Sequence, residues 1–203
     1  MNLNVESNRL IRVFALTMIT GASIAAAACA GALYKVKPAA DLPALPASAK
    51  SADAGGTTVR VAPLLTDEES QQLFEANLPL SGVLPVRIEL IYETGGVPLE
   101  LKRVRFRLRD GEVREWKLLA PKQAISRILK ANGVTLYNPN ARKEFEKEFT
   151  AYAIDLKTSL AASERRRQGF LFFQTPKKEP VASPRGLVLT VEGLAQPATI
   201  IIN

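Results

Sequence analysis

The chain has 203 residues, 27 Lys and Arg against 20 Asp and Glu, a formal charge of +7, one cysteine and no histidine. The lack of histidine excludes Ser-His and Cys-His catalysis, imidazole acid–base chemistry near neutral pH and every His-ligated metal site. No Walker loop, G-x-G-x-x-G or S-x-x-K motif occurs, so a non-enzymatic chain without a cofactor is expected.

The first zone reads as an export signal. Arg9 and Arg12, diluted by Glu6, precede an uncharged apolar run from Val13 to Ala28, which small residues close at Ala26-Ala27-Ala28-Cys29. This end resembles a bacterial lipobox, in which small residues precede a cysteine that is acylated and begins the mature chain, although Ala26 stands where Leu is commonest. The resemblance implies a signal peptide over 1–28, lipidation of Cys29, and a domain held to the membrane of the bacterial cell envelope, facing the periplasm or the exterior. Ala30 after Cys29, rather than Asp, favours outer-membrane sorting where there are two membranes. Two alternatives stand beside it. Ala28-Cys29-Ala30 is an A-x-A site for ordinary cleavage before Gly31, and the uncharged run from Val13 to Tyr34 is long enough to span a bilayer uncleaved. The lone cysteine fits the lipid anchor, because acylation leaves no thiol for stray oxidation. All three readings put the domain beyond the inner membrane, so nucleic acid is not an expected partner.

Residues 29–57 read as the lipidated cysteine and a tether rich in Ala and Pro, with Gly55-Gly56 as a flexible end. Residues 58–203 suit one domain. Thr58 to Val61 predicts a first strand with Val59 and Val61 on one face. Thr66-Asp67-Glu68-Glu69 is a capping box opening a short helix that ends near Phe74. Leu84 to Thr94 predicts a half-buried strand, with Val86, Ile88, Leu90 and Tyr92 alternating with Arg87, Glu89, Ile91 and Glu93, before Gly95-Gly96 breaks it.

Leu99 to Arg109 predicts a strand with Val104, Phe106 and Leu108 facing one way and Arg103, Arg105, Arg107 and Arg109 the other. Asp110-Gly111 signals a hairpin to Val113–Leu118. A two-residue turn pairs Phe106 with Glu115. An odd-length loop or bulge pairs Phe106 with Trp116, Val104 with Leu118 and Arg107 with Glu115, and is favoured because it keeps apolar residues together. Pro121 to Ala131 predicts a helix with Ile125, Ile128 and Leu129 inward and Gly133 as terminator. Asn138 and Pro139 open a second helix, whose stripe of Phe145, Phe149, Tyr152, Leu156 and Leu160 predicts an end near Thr158. Gly169 to Phe173 is an unbroken apolar run, expected to be buried on both faces or against a helix. A polar loop from Pro176 to Pro184 then leads to a strand from Gly186 and a last strand over Ala198–Ile202. The pattern predicts a mostly β, α+β domain: an immunoglobulin-like antiparallel β-sandwich with two or three inserted helices.

Leu64 to Glu69, followed by Phe74, Asn77-Leu78 and Gly82-Val83-Leu84-Pro85-Val86, resembles the opening of an uncharacterised group of bacterial envelope lipoprotein domains of immunoglobulin-like form, and Gly169 to Phe173 resembles their late Gly-Phe-aliphatic-aromatic strand. The likeness does not extend to the helical middle, Pro121 to Thr158. It implies fold and address, and no catalytic residue.

Carboxylates at Asp67, Glu68 and Glu69 are explained by helix N-terminal preference. Those at Glu144, Glu146 and Glu148 alternate with Arg142, Lys143 and Lys147 as a salt-bridged solvent face. The candidate binding feature is the ladder Arg103, Arg105, Arg107 and Arg109, with Arg165, Arg166 and Arg167 as a second cluster. A ladder of this kind either solvates a sheet face, pairing with Glu89, Glu93 or Glu115, or meets an anionic ligand such as lipid phosphate or acidic polymer. The expected function is a lipid-anchored domain that binds an envelope protein partner or supports an assembly, with an anionic envelope ligand on the Arg-rich face as the alternative.

Overall fold

The computed structural model describes residues 42–93, 97–134, 139–161 and 163–203. The leader, Cys29, the Gly95-Gly96 break and the Asn138 cap lie outside them. The described chain runs β1 (Lys50–Asp53), β2 (Thr57–Pro63), α1 (Asp67–Phe74), β3 (Val83–Tyr92), β4 (Arg105–Arg109), β5 (Glu115–Leu119), α2 (Pro121–Ala131), α3 (Pro139–Ala151), β6 (Arg166–Gln174), β7 (Val188–Glu192) and β8 (Ala198–Ile201), with 3-10 turns at Pro79–Ser81 and Leu101–Arg103. All strand pairs are antiparallel, in the order β1-β2-β3-β6-β5-β4-β7-β8. Near the two ends of that order, the Gln196 N–H donates to the Ala54 carbonyl at 3.1 Å, so the sheet curls into a nearly closed, barrel-like form. Among the described residues the fold is a β-rich α+β fold of eight strands and three helices. The pairing runs unbroken through β5 rather than dividing into the two sheets expected of a sandwich.

Two apolar cores flank the sheet. The inner one joins Val59, Val61, Val86, Ile88, Leu90, Leu171 and Phe173 to Phe106, Leu108, Trp116, Leu189, Val191 and Ile200 from the far strands. The outer one lies between β3, β6 and the helices, centred on Phe74, whose ring centroid is 5.3 Å from Phe149, 5.1 Å from Tyr152 and 5.4 Å from Phe170. Each fully buried ring of this kind contributes about 1.5–3 kcal/mol. The helices that supply them are placed by local chemistry. Thr66 Oγ1 accepts the Glu69 N–H while Glu69 accepts the Thr66 N–H, and Glu75 turns left-handed at φ 49° to stop α1. Pro121 opens α2, and Gly133 follows it at φ 63°.

Five expectations need correction. The stretch read as tether already contains β1, paired Lys50↔Val61. The Asp53 carboxylate accepts the Gly55 and Gly56 N–H groups at 2.9 and 3.3 Å, so this Gly-Gly is a hairpin turn. The strand β3 is buried on both faces over Val83–Leu90, Arg87 and Glu89 included, because α1, α2 and the Leu42–Pro46 segment cover the side that alternation marks as polar. The strand expected from Leu99 starts only at Arg105; Leu101 and Val104, three apart, are buried through a 3-10 turn instead.

The hairpin loop is odd-length, Asp110–Arg114, and apolar residues stay together, but the register is Leu108↔Trp116 and Arg109↔Glu115, two residues from the expected one. Beyond Trp116 the strand leaves β4 for β6, so Leu118 is 38% exposed and Leu119 enters the outer core. Finally, α3 ends at Ala151, short of Thr158. The chain then crosses β6: the Phe170 N–H donates to the Tyr152 carbonyl at 2.7 Å and the Ile154 N–H to the Phe170 carbonyl at 3.1 Å. Leu156 and Leu160 therefore pack in the inner core, although they continue the helical stripe.

Candidate ligand-binding face

The two halves of the sheet differ on their outer sides. Helices and the Leu42–Pro46 segment cover β3 and β6, whereas the outer side of β4, β7 and β8 carries no described segment. Arg105, Arg107 and Arg109 project there from β4, and Arg103 is exposed in the turn before it, so one member of the ladder lies off the strand. Register sets Arg105 beside Glu192, Arg107 beside Thr190, and Arg109 between Val188 and Glu115. On β8, Ile201 is 66% exposed.

None of the expected acidic partners, Glu89, Glu93 or Glu115, forms an ion pair with the ladder among the described residues. Arg107 pairs with Glu192 at 3.7 Å, with both side chains about half exposed. Arg105 donates to the Lys102 and Val104 carbonyls at 2.7 and 2.9 Å. Among the described residues Arg103 and Arg109 make no ion pair. Exposed pairs such as Arg107–Glu192 contribute about 0–1 kcal/mol, so this face is not held shut by its own salt bridges.

Glu89 is committed elsewhere, in a cluster that sequence alternation concealed. It is fully buried on the covered side of β3; Arg60 donates to Oε2 at 2.9 Å and Arg166 Nε closes on Oε1 as an ion pair. Arg87, also buried, donates to the Pro43 carbonyl and to Gln168 Oε1, while its Nε has no partner. Burial pulls Arg87 below the usual guanidinium value, opposed by the Glu89 charge. The Arg165–Arg167 run divides in the same way. Arg166 faces Glu89, whereas Arg167 binds Glu164 at 2.8 Å and Asp155 at 3.5 Å. Arg166 and Arg167 are thus engaged in ion pairs within the fold. The acidic run on α3 is a solvent face, with Arg142–Glu146 at 2.9 Å.

A cleft of about 380 Å³ opens where the Asp110–Arg114 loop meets the Thr175–Arg185 loop. Asp110, read from sequence as a turn residue, is its buried anchor. The Glu112 and Arg114 N–H groups donate to Oδ1 at 3.0 Å each, and Arg114 Nε and Trp116 Nε1 donate to Oδ2 at 2.9 and 3.2 Å. Burial pushes this carboxyl up, but the hydrogen bonds from Trp116 and Arg114 outweigh it and hold it below the usual aspartate range. With four donors on an ionised carboxylate, Asp110 is a structural acceptor, not an acid. The linkage sign follows: a depressed folded value gives stability that is complete above the unfolded value, about 3.9, and is lost as pH falls through the folded one. Acid melts of Asp110→Asn should therefore show a shallower loss of stability below about pH 4 than the parent, from a lower starting point. Parallel acid limbs for the two proteins would contradict this account.

Among the described residues no group of three or more carboxylates or sulfurs forms a metal-binding arrangement, and no helix is long and apolar enough to cross a membrane. No family model, curated protein or solved structure matches this chain.

Proposed function

We propose that this chain is a non-enzymatic, lipid-anchored protein of the bacterial envelope, belonging to the uncharacterised lipoprotein group its sequence resembles, whose domain docks a protein partner through the outer face of β4, β7 and β8. The observation that carries the reading is the asymmetry of the sheet: one half is roofed by helices, and the other leaves Ile201 and the arginines of β4 in solvent. An uncovered sheet face that sets the exposed Ile201 beside arginines, a residue type enriched at interfaces, offers a partner both apolar contact and charge. The non-enzymatic part rests on the lack of histidine and on the commitment of Asp110 to four donors. We also read the barrel-like sheet as a modified immunoglobulin-like sandwich, in which β1-β2-β3-β6 and β4-β7-β8 face each other across the inner core and β5 bridges them.

A second reading has its own support. Arg103, Arg105, Arg107, Arg109 and Lys117 on this side meet only Glu115 and Glu192 as acidic neighbours on the adjoining strands, so an anionic envelope ligand, lipid phosphate or acidic polymer, fits the same face.

The anchor is tested by mass spectrometry of the mature N-terminus. The expected species starts at an acylated Cys29; a chain starting at Gly31 or at Met1 contradicts the lipid anchor. The docking face is tested with a photo-crosslinker placed at Ile201 and, as a control, at Glu144 on the far helix. A discrete envelope protein captured only from Ile201 is expected, and equal capture from both positions rejects the face.

A further inference from the structure

We propose that the cleft between the Asp110–Arg114 and Thr175–Arg185 loops binds a small amino-acid-like zwitterion, with its ammonium group on Glu179 and its carboxylate on Arg185. The first observation is an unmet acceptor. Glu179 lines the cleft, and its Oε2 is shielded from water with no hydrogen-bond donor. A carboxylate oxygen in that position is costly until a donor reaches it, and a donor carrying positive charge relieves it best.

The second observation is the charge balance. The protein carries +7, yet the cleft is lined by Asp110, Glu112 and Glu179 against Arg114 and Arg185, one negative charge in excess. Arg114 is spent on Asp110 at 2.9 Å and Glu112 at 3.2 Å. This leaves Glu179, which feels the Arg114 charge only at a distance, and Arg185, exposed at the rim, without an ion pair among the described residues. A ligand bearing one charge of each sign satisfies both.

The third observation is preorganisation. The loop that carries Glu179 and Arg185 is tied at several points: Thr175 Oγ1 to the Glu179 carbonyl at 2.7 Å, the Val181 N–H to the Pro79 carbonyl at 2.9 Å, and the Gly111 N–H to the Arg185 carbonyl at 3.1 Å. Trp116 and Val181 supply an apolar wall, and about 380 Å³ suits a body of amino-acid size. Fixed walls with a few convergent polar groups lower the entropy cost of binding a small ligand.

The test uses the full chain in detergent and ligand-observed NMR with a panel of L-amino acids at millimolar concentration. Each amino acid that binds is compared with its decarboxylated amine and its deaminated acid. At least one amino acid should bind, its amine more weakly and its acid not at all. Glu179→Gln should lower that affinity by about tenfold or more, with a melting temperature no lower than the parent's, because the charge that is lost has no donor in the free protein. Arg185→Gln should weaken the amino acid and leave the amine unaffected. No binding by any amino acid, or equal binding by the parent and Glu179→Gln, overturns the proposal and leaves a bound water as the donor to Oε2.

Discussion

Gly169→Ala should destabilise the protein by about 3 kcal/mol or more, among the largest losses a single methyl group can cause here. A Cβ at this position would stand 2.5 Å from both Cα and N of Ile154, where the chain leaving α3 crosses β6. The obstacle is backbone, held on each side by the Phe170–Tyr152 and Ile154–Phe170 hydrogen bonds, so it cannot swing aside as a side chain does. Relief requires moving the whole crossing, which also carries Tyr152 into the outer core and Ile154 into the inner one. Urea melts of Gly169→Ala against the parent measure this directly. A loss under about 1 kcal/mol would show that the crossing is loosely held.

The second large effect is expected at Glu89. Changing it to Gln keeps the shape but removes the one negative charge that faces Arg60, Arg87 and Arg166. Removing one partner of a buried ion pair costs about 3–5 kcal/mol, because the remaining charge stays buried without compensation. The lower end is expected here, since Arg60 and Arg166 reach partly into water while Arg87 does not. Denaturant melts of Glu89→Gln should show that loss with little dependence on salt, because screening ions do not reach the carboxylate. A loss under about 1 kcal/mol, or one that disappears in high salt, would place Glu89 at the surface instead.

These two residues mark where the sequence could and could not be read. Signals carried by contiguous residues were legible: the Thr66–Glu69 capping box, Pro121 and Gly133 around α2, and the buried run of β6. Features set by distant segments were not. Arg87 and Glu89 alternate with Val86, Ile88 and Leu90 as they would on a half-solvated strand, and only the covering helices and the Leu42–Pro46 segment make that side internal. The helical spacing of Tyr152, Leu156 and Leu160 persists past the end of α3 because those residues serve two cores in turn. In the hairpin, periodicity fixes which side faces inward but leaves the register free by steps of two, and the departure of β5 towards β6 settles it. The arginine ladder was legible as a face, since Arg103, Arg105, Arg107 and Arg109 are all exposed; that Arg103 belongs to a turn was not. The cleft at Asp110 and Glu179 had no signal, because it joins loops far apart in the chain.

The central claim, that the uncovered arginine-bearing face is the docking surface, is tested most directly by replacing Arg103, Arg105, Arg107 and Arg109 together with Gln. The side chains on β4 stand about 6–7 Å apart, a spacing that an extended acidic surface or polymer can follow. Their described contacts are the exposed Arg107–Glu192 pair and the Arg105 hydrogen bonds to the Lys102 and Val104 carbonyls, so the variant should still fold, with a loss of about 1–2 kcal/mol at most. Parent protein should be retained at low salt on a column bearing the acidic fraction of the envelope and be released as salt screens the face. The account predicts that the quadruple variant passes through unretained; retention equal to the parent's would mean that the ladder is only a solvated face.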